Sequence, residues 1–333
     1  MLGTWIAESG KYETDIDKKK TKLQYMINTV RQRTLPQKLG KYAVDAKLKL
    51  AETIIIAGLL HNAEGFPSFT ETEIKELEKV QHLIITELLG VPNSTSYLAL
   101  LLETGFWTMK ARLTYKKLML YQNILKSDSR RTLKSLVEVQ KEENRRSTWY
   151  GGIAEIISEY ELTEWDPAII LKSKWKTLVK KKITEKTEIY IKQKLSTMTK
   201  GRTICQDKYE KKGYLGEVDT NTSRKITMMR LHMSRLPGNY RGKGEGICHL
   251  CNAEKGQIEH YFVCSKVQQL VHVWKVEEDD IGSSEDVKSL VKASKFIEKV
   301  EQILEPTMEI ILNNNNNRRN NNTVTVKVKD KKK

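Results

Sequence analysis

Cysteine is scarce in this chain, with four in 333 residues, and three of the four fall within the stretch "CHLCNAEKGQIEHYFVC" at 248–264. A secreted disulfide scaffold uses its cysteines in even numbers along the whole chain, so this distribution points to a reducing compartment. Long apolar runs are missing as well. The longest, "TIIIAGLL" at 53–60, is far shorter than a bilayer-spanning helix requires. The N-terminus, "MLGTWIAESGKYETD", has no basic stretch followed by an apolar core, so no signal peptide is read there. These absences predict an intracellular protein, nuclear or cytoplasmic, with no membrane partner.

Period-two alternation is nearly absent after the first residues, which leaves little from which to build a sheet. Gly-rich phosphate loops, a nucleophile elbow and any His–carboxylate constellation are absent too. No small-molecule substrate is therefore expected. "EEDDIG" at 277–282 does set Asp279 beside Asp280, and paired aspartates hold Mg²⁺ in polymerases. No strand pattern flanks them, so an exposed acidic loop is expected.

Negative charge is in deficit. The chain carries 58 basic residues (Lys and Arg) against 42 acidic ones, a net charge of +16. Such an excess favours a polyanionic partner, nucleic acid or an anionic membrane surface, with a merely solvated basic surface as the plainer alternative.

What is present is helical patterning. After a short strand ("LGTWI") and a glycine turn, a helix is expected over 14–33, with Ile16, Leu23, Ile27 and Val30 on one face and Pro36 beyond its end. A second should run from Ala43 to Leu60, apolar and buried in its later half. Thr70 and Glu73 have capping-box spacing and open a third, whose stripe is Ile74, Leu77, Val80, Ile84 and Leu88. Gly90 and Pro92 punctuate its end. "NSTS" at 93–96 caps a helix that Gly105 stops. The next follows Thr108, with Ala111, Tyr115, Leu118 and Leu125 inward and Lys110, Arg112, Lys116 and Lys117 outward.

From Asp166 to Lys200 the pattern becomes lysine-rich: Lys172, Lys174, Lys176, Lys180, Lys181, Lys182, Lys186, Lys192, Lys194 and Lys200, interleaved with Trp175, Leu178, Ile183 and Ile191. This stretch is either a phosphate-binding face or a solvated amphipathic helix. Residues 201–222 read as loop. "TSRKITMMRLHMSRLPGNYRGKG" then gives a helix with Arg224, Lys225, Arg230 and Arg235, and a basic turn with Tyr240, Arg241 and Lys243. "NNNNNRRNNN" and "KVKDKKK" at the C-terminus are low-complexity and expected to be disordered.

Cys248, Cys251, His260 and Cys264 follow the spacing C-x2-C-x8-H-x3-C. Two cysteines two residues apart can present both sulfurs on one side of a tight turn. A His and a Cys four apart on a helix share a face. An arm containing Asn252 and Gly256 is long enough to join the halves. Three thiolates and an imidazole make a closed tetrahedral zinc site, structural rather than catalytic. His249 should point away, and Cys205 reads as an unrelated free thiol.

Three of these stretches together resemble the reverse transcriptases of non-LTR (LINE-like) retrotransposons. "LGTWIAESGKYETDIDKKKTK" resembles the strand, turn and helix that follow the palm active site. "AKLKLAETIIIAGLLHNAEGF" and "EIKELEKVQHLIITELLGVPNSTSYLALLLETGFWTMKARLTYKKLMLYQNIL" resemble the helical thumb and connector. "MMRLHMSRLPGNYRGKGEGICHLCNAEKGQIEHYFVC" resembles the C-terminal zinc knuckle with its basic approach. The similarity covers roughly residues 2–265 in the family's order. The chain departs from it at His61, Asn62 and Phe66, where relatives carry Tyr-Gly and a Trp.

The resemblance implies a mainly α protein. Its parts would be a palm-edge strand and helix over 1–35, a multi-helix thumb/connector region over 36–200 and a basic linker and helix over 201–245. A CCHC zinc knuckle over 246–275 and a weakly structured tail over 276–333, disordered from about 313, would complete it. The family's catalytic Tyr/Phe-Ala-Asp-Asp motif precedes the first matching block, so no polymerase activity is expected. What remains is RNA or DNA binding. Phosphate contacts would come from Lys174, Lys176, Lys180, Lys181, Lys182, Arg230, Arg235, Arg241 and Lys243, and base stacking from Tyr240, Tyr261 and Phe262. The alternatives are a zinc-stapled protein-interaction module and the product of a decayed element with no selected function.

Overall fold

A computed structural model describes residues 13–34, 39–128, 131–143, 145–198, 204–236, 247–252, 258–275 and 286–305. Every regular element among the described residues is helical, as the patterning requires. The expected first strand and its glycine turn, "EEDDIG" and the residues from 306 onward lie outside the described residues. The chain divides into two compact units, Met1–Ser223 and Arg224–Lys333.

In the first unit, α1 (Glu13–Arg33) buries Leu23, Ile27 and Val30. Arg31 ties it to α4 (Glu71–Leu89) through the Glu87 carboxylate at 2.6 Å. α2 (Ala43–Leu50) continues through a π-helical stretch, Ala51–Ile56, into α3 (Ala57–Leu59). The expected helix over 43–60 is thus present as one rod with a widened middle turn. It buries Ile55 and Ile56 but leaves Ile54 exposed. Asn62, where the resembled family has glycine, is left-handed with φ 60°, a conformation asparagine tolerates better than most residues.

Local capping chemistry sets the next boundaries. The Glu73 backbone N–H donates to Thr70 Oγ1 at 3.2 Å, and the Thr70 N–H donates to the Glu73 carboxylate at 2.8 Å, a complete capping box. Leu77, Val80, Ile84 and Leu88 are buried as expected, with Ile85 and Leu89 beside them, whereas Ile74 is only half-buried. Ser96 caps α5 (Tyr97–Thr104), and Thr108 caps α6 (Met109–Leu125). Gly105 between them has φ +67°, and a Cβ there would stand 2.6 Å from the Lys211 backbone nitrogen. Only glycine fits both demands.

α6 corrects two expectations. Lys117 is not outward: it is buried, donating to the Pro67 carbonyl at 2.8 Å with its ammonium over the Phe69 ring. Arg112 is also largely covered, its guanidinium 2.7 Å from Glu52. Ala111 and Leu118 face inward as read, joining Tyr160, Leu162, Trp175, Val179 and Ile183 in one core cluster. α7 (Thr132–Glu143) and α8 (Trp149–Glu159) close over the end of α6, where Val137 and Ile153 meet Tyr121 and Ile124.

The lysine-rich stretch is α9 (Lys172–Ser196). Its buried residues are Trp175, Val179, Ile183, Thr187, Ile191 and Leu195, each four after the last. Leu178, expected among the interleaved apolar positions, is half-buried. A step of four residues overshoots a full turn by about 40°, so the buried line winds around the helix. α9 accordingly packs mainly against two neighbours, α6 and α5.

Part of the stretch read as loop over 201–222 is a packed strap. Tyr209 donates to the Phe106 carbonyl at 2.6 Å, and Tyr214 to the buried Glu103 carboxylate at 2.7 Å. α10 (Tyr214–Glu217) and α11 (Thr220–Arg230) follow.

In the second unit, α12 (His260–Val263) and α13 (Gln268–Trp274) flank Cys264. Residues 287–305, expected to belong to a weakly structured tail, form a helix instead, α14. It buries Leu290, Ala293, Phe296, Ile297, Val300 and Leu304. The spacing of these residues gives an apolar stripe wide enough to hold a helix in place. Lys225 pairs with Glu298 of α14 at 2.6 Å.

Candidate metal centre and basic surface

The four residues singled out by spacing converge. The ligand atoms of Cys248, Cys251, His260 and Cys264 all lie within 4.8 Å of one another, a span that one metal ion can bridge. Cys248 and Cys251 stand on a turn closed by the Asn252 N–H donating to the Cys248 carbonyl at 2.8 Å. Asn252 ends that turn in the left-handed conformation, φ 58°. His260 opens α12 and Cys264 ends it, so one helical turn places the second pair on one face. The sulfurs of Cys248 and Cys264 are 3.9 Å apart, too far for a disulfide, and Cys251 Sγ is 3.3 Å from His260 Nε2.

The surroundings suit a bound cation. Burial first, then the neighbouring thiols, push Cys264 up to about 11 when no cation is present, and a dication would reverse that preference. Among the described residues Glu259 Oε2 is buried with no hydrogen-bond partner, and the buried Tyr261 hydroxyl lies beside the Cys248 thiol. Tyr261 is fully buried, and Phe262 nearly so against the Phe296 ring of α14, centroids 5.2 Å apart. Neither offers a free face to a base, which removes both as stacking residues. Cys205 is buried in the first unit and is not one of the four gathered residues. His249 is half-buried and stands outside the four-residue group. Among the described residues no second group of three or more His, Cys, Asp or Glu is gathered for a metal.

The expected phosphate contacts divide by exposure. Lys174, Lys176, Lys180 and Lys181 are exposed on α9. Lys182 is half-buried and held by Glu161 at 2.9 Å, and Lys181 has Glu185 at 3.9 Å. Arg235 is exposed, but Arg230 is fully buried and belongs to the core of the second unit, so it is no surface contact. A sequence pattern of basic residues on a helix does not reveal which one turns inward. Tyr240, Arg241 and Lys243 lie outside the described residues. Two further basic residues, Arg112 and Lys116 of α6, line a cleft together with Lys176 and Lys180 of α9.

Among the described residues no helix is long and apolar enough to cross a membrane. The chain matches no protein-family model, no curated protein and no solved structure.

Proposed function

We propose that this chain binds nucleic acid without acting on it chemically, as the thumb, connector and knuckle of a LINE-like reverse transcriptase would. The observation that carries the reading is the outer surface of α9. Lys172, Lys174, Lys176 and Lys180 are exposed there, and among the described residues none of them has a carboxylate within ion-pair distance. Unpaired cations on a rigid, well-anchored helix are what phosphate contacts require. The net charge of +16 acts in the same direction.

The metal is zinc on this reading. A tetrahedral zinc with its usual bond lengths sets sulfurs about 3.8 Å apart and a sulfur and a nitrogen about 3.5 Å apart. The separations of 3.9 Å and 3.3 Å support that geometry. Cys248, Cys251, His260 and Cys264 would fill every position of the ion, leaving none for water or substrate. Its contribution would be to order the surrounding segment.

Binding to a duplex or a hairpin RNA, followed by fluorescence anisotropy across salt, tests the reading. If about six phosphates are neutralised, affinity on duplex DNA should fall with log salt at a slope of about −5. Affinity unchanged between 0.05 and 0.5 M salt would overturn it. One observation favours a second reading, a protein partner. α7 leaves Leu133, Leu136 and Val139 exposed on its outer side, and an apolar face is insensitive to salt.

A further inference from the structure

A cleft of about 400 Å³ opens in the first unit between the π-helical stretch, α6 and the first half of α9. That volume is in the range of small-molecule pockets, roughly 300–1,000 Å³. Two aromatic rings line it, Trp107 and Tyr115, with centroids 5.5 Å apart and planes tilted by 60°. Both are half-buried, so part of each remains open. The indole is fixed in place because its N–H donates to Thr184 Oγ1 at 3.1 Å.

Ile56, Ala57 and Leu60 add apolar wall, and the charged part of the lining is mostly cationic. Lys176 and Lys180 stand four residues apart on one face of α9, where like charges repel. Among the described residues neither has an acidic partner to relieve that repulsion, and the Lys180 ammonium lies 6.0 Å from the Tyr115 ring centroid. Arg112 and Lys116 add two more cations, each already engaged by a carboxylate, Glu52 on the wall and Glu64 respectively. Glu52 and Ile56 reach the cleft from the π-helical stretch, an irregularity that is frequent at functional sites. Aromatic faces beside unpaired ammonium groups recognise a flat ring that carries a phosphate.

We propose that this cleft takes one nucleotide of a single-stranded nucleic acid, its base on Trp107 and Tyr115 and its phosphate between Lys176 and Lys180. This rests on the nucleic-acid reading above and makes it specific. A paired, stacked duplex does not present a base face and is not a ligand for the cleft.

The test is fluorescence anisotropy with labelled twelve-nucleotide oligo(dT), oligo(rU) and a duplex of equal length, all on the full chain. Trp107→Leu and Tyr115→Leu should each weaken single-strand binding by about tenfold. Duplex binding should stay within about twofold, and the single-strand salt slope should not change. Trp107→Phe should restore most of the loss. Lys176→Gln with Lys180→Gln should flatten the single-strand slope by about 1.4. Circular dichroism identifies any variant that has failed to fold. Cross-linking to a 5-bromouracil strand gives a readout in the unaltered chain, and attachment should fall within 107–115. Binding by either oligo(dT) or oligo(rU) through these residues supports the cleft and identifies the sugar it accepts. Wild-type single-strand affinity in both folded aromatic variants, or cross-links solely elsewhere, overturns the cleft and leaves the nucleic-acid reading standing. A wild-type chain that binds none of the three probes overturns both.

Discussion

Both units bury apolar side chains, but among the described residues only the second also gathers four side chains of metal-ligand type. The first buries a continuous apolar interior, with Trp175, Val179 and Ile183 of α9 set against Ala111 and Leu118 of α6. Around the knuckle, residues 248–264 contribute a few buried side chains, and four residues there, Cys248, Cys251, His260 and Cys264, are gathered within reach of one metal ion. Burial is distributed, so losing one side chain costs a fraction of the total. Coordination of a metal there would be concentrated in four ligands, so losing one would cost most of it.

The largest expected effect follows from that concentration. Zinc binding to such sites is worth on the order of 10 kcal/mol, so chelation or Cys264→Ser should abolish stoichiometric metal and hydrogen-exchange protection over 258–264. Protection over 175–191 should survive. Equal, near-zero metal in the wild-type chain and in Cys251→Ser would remove the distinction between the units. The reverse experiment is Trp175→Ala, which empties the fully buried indole site and breaks its hydrogen bond to the Leu118 carbonyl. A loss of about 3–5 kcal/mol in denaturant unfolding of the first unit is expected, with metal content unchanged.

A smaller effect tests the interior of the first unit by pH. Burial lowers the Lys117 ammonium from its usual 10.5 to about 8. Between those values the unfolded chain holds the extra proton, so stability rises as pH rises from 8 to 10.5. Below pH 8 both states are charged and the full penalty applies. Lys117→Met should therefore gain on the order of 2 kcal/mol at pH 7, net of the lost bond to Pro67. Denaturant titrations at pH 7 and pH 10 should show that gain shrinking. Smallest is Thr70→Ala, which removes one arm of the capping box and should cost about 1 kcal/mol, read from the same unfolding curve.

Features set by near neighbours in sequence were legible in advance. The Thr70–Glu73 box, the Ser96 and Thr108 caps, Gly90 and Gly105 at helix ends, and the four clustered ligands all depend on short spacings. Features set by distant partners were not. Lys117 turns inward because the Pro67 carbonyl and the Phe69 ring await it some fifty positions earlier. Arg230 was read as surface because its helix is basic, yet it is enclosed by the second unit. Phe262 packs on Phe296 of an unexpected helix and Tyr261 is fully buried, so neither ring is open to a base. The cleft escaped notice because Trp107, Tyr115, Lys176 and Lys180 belong to separate segments, and no local pattern joins them.

The four-residue step of buried side chains along α9 sets a mechanical limit on what can follow its lysines. From Trp175 to Leu195 the covered side turns through about 200° over about 30 Å, so the solvent side turns with it like the thread of a screw. DNA duplexes stay straight over about 150 base pairs and can touch one end of such a thread at a time. A pliable strand can keep contact while it rounds the rod. If its lysines hold phosphates as proposed, α9 would sort polyanions by stiffness before any base is read.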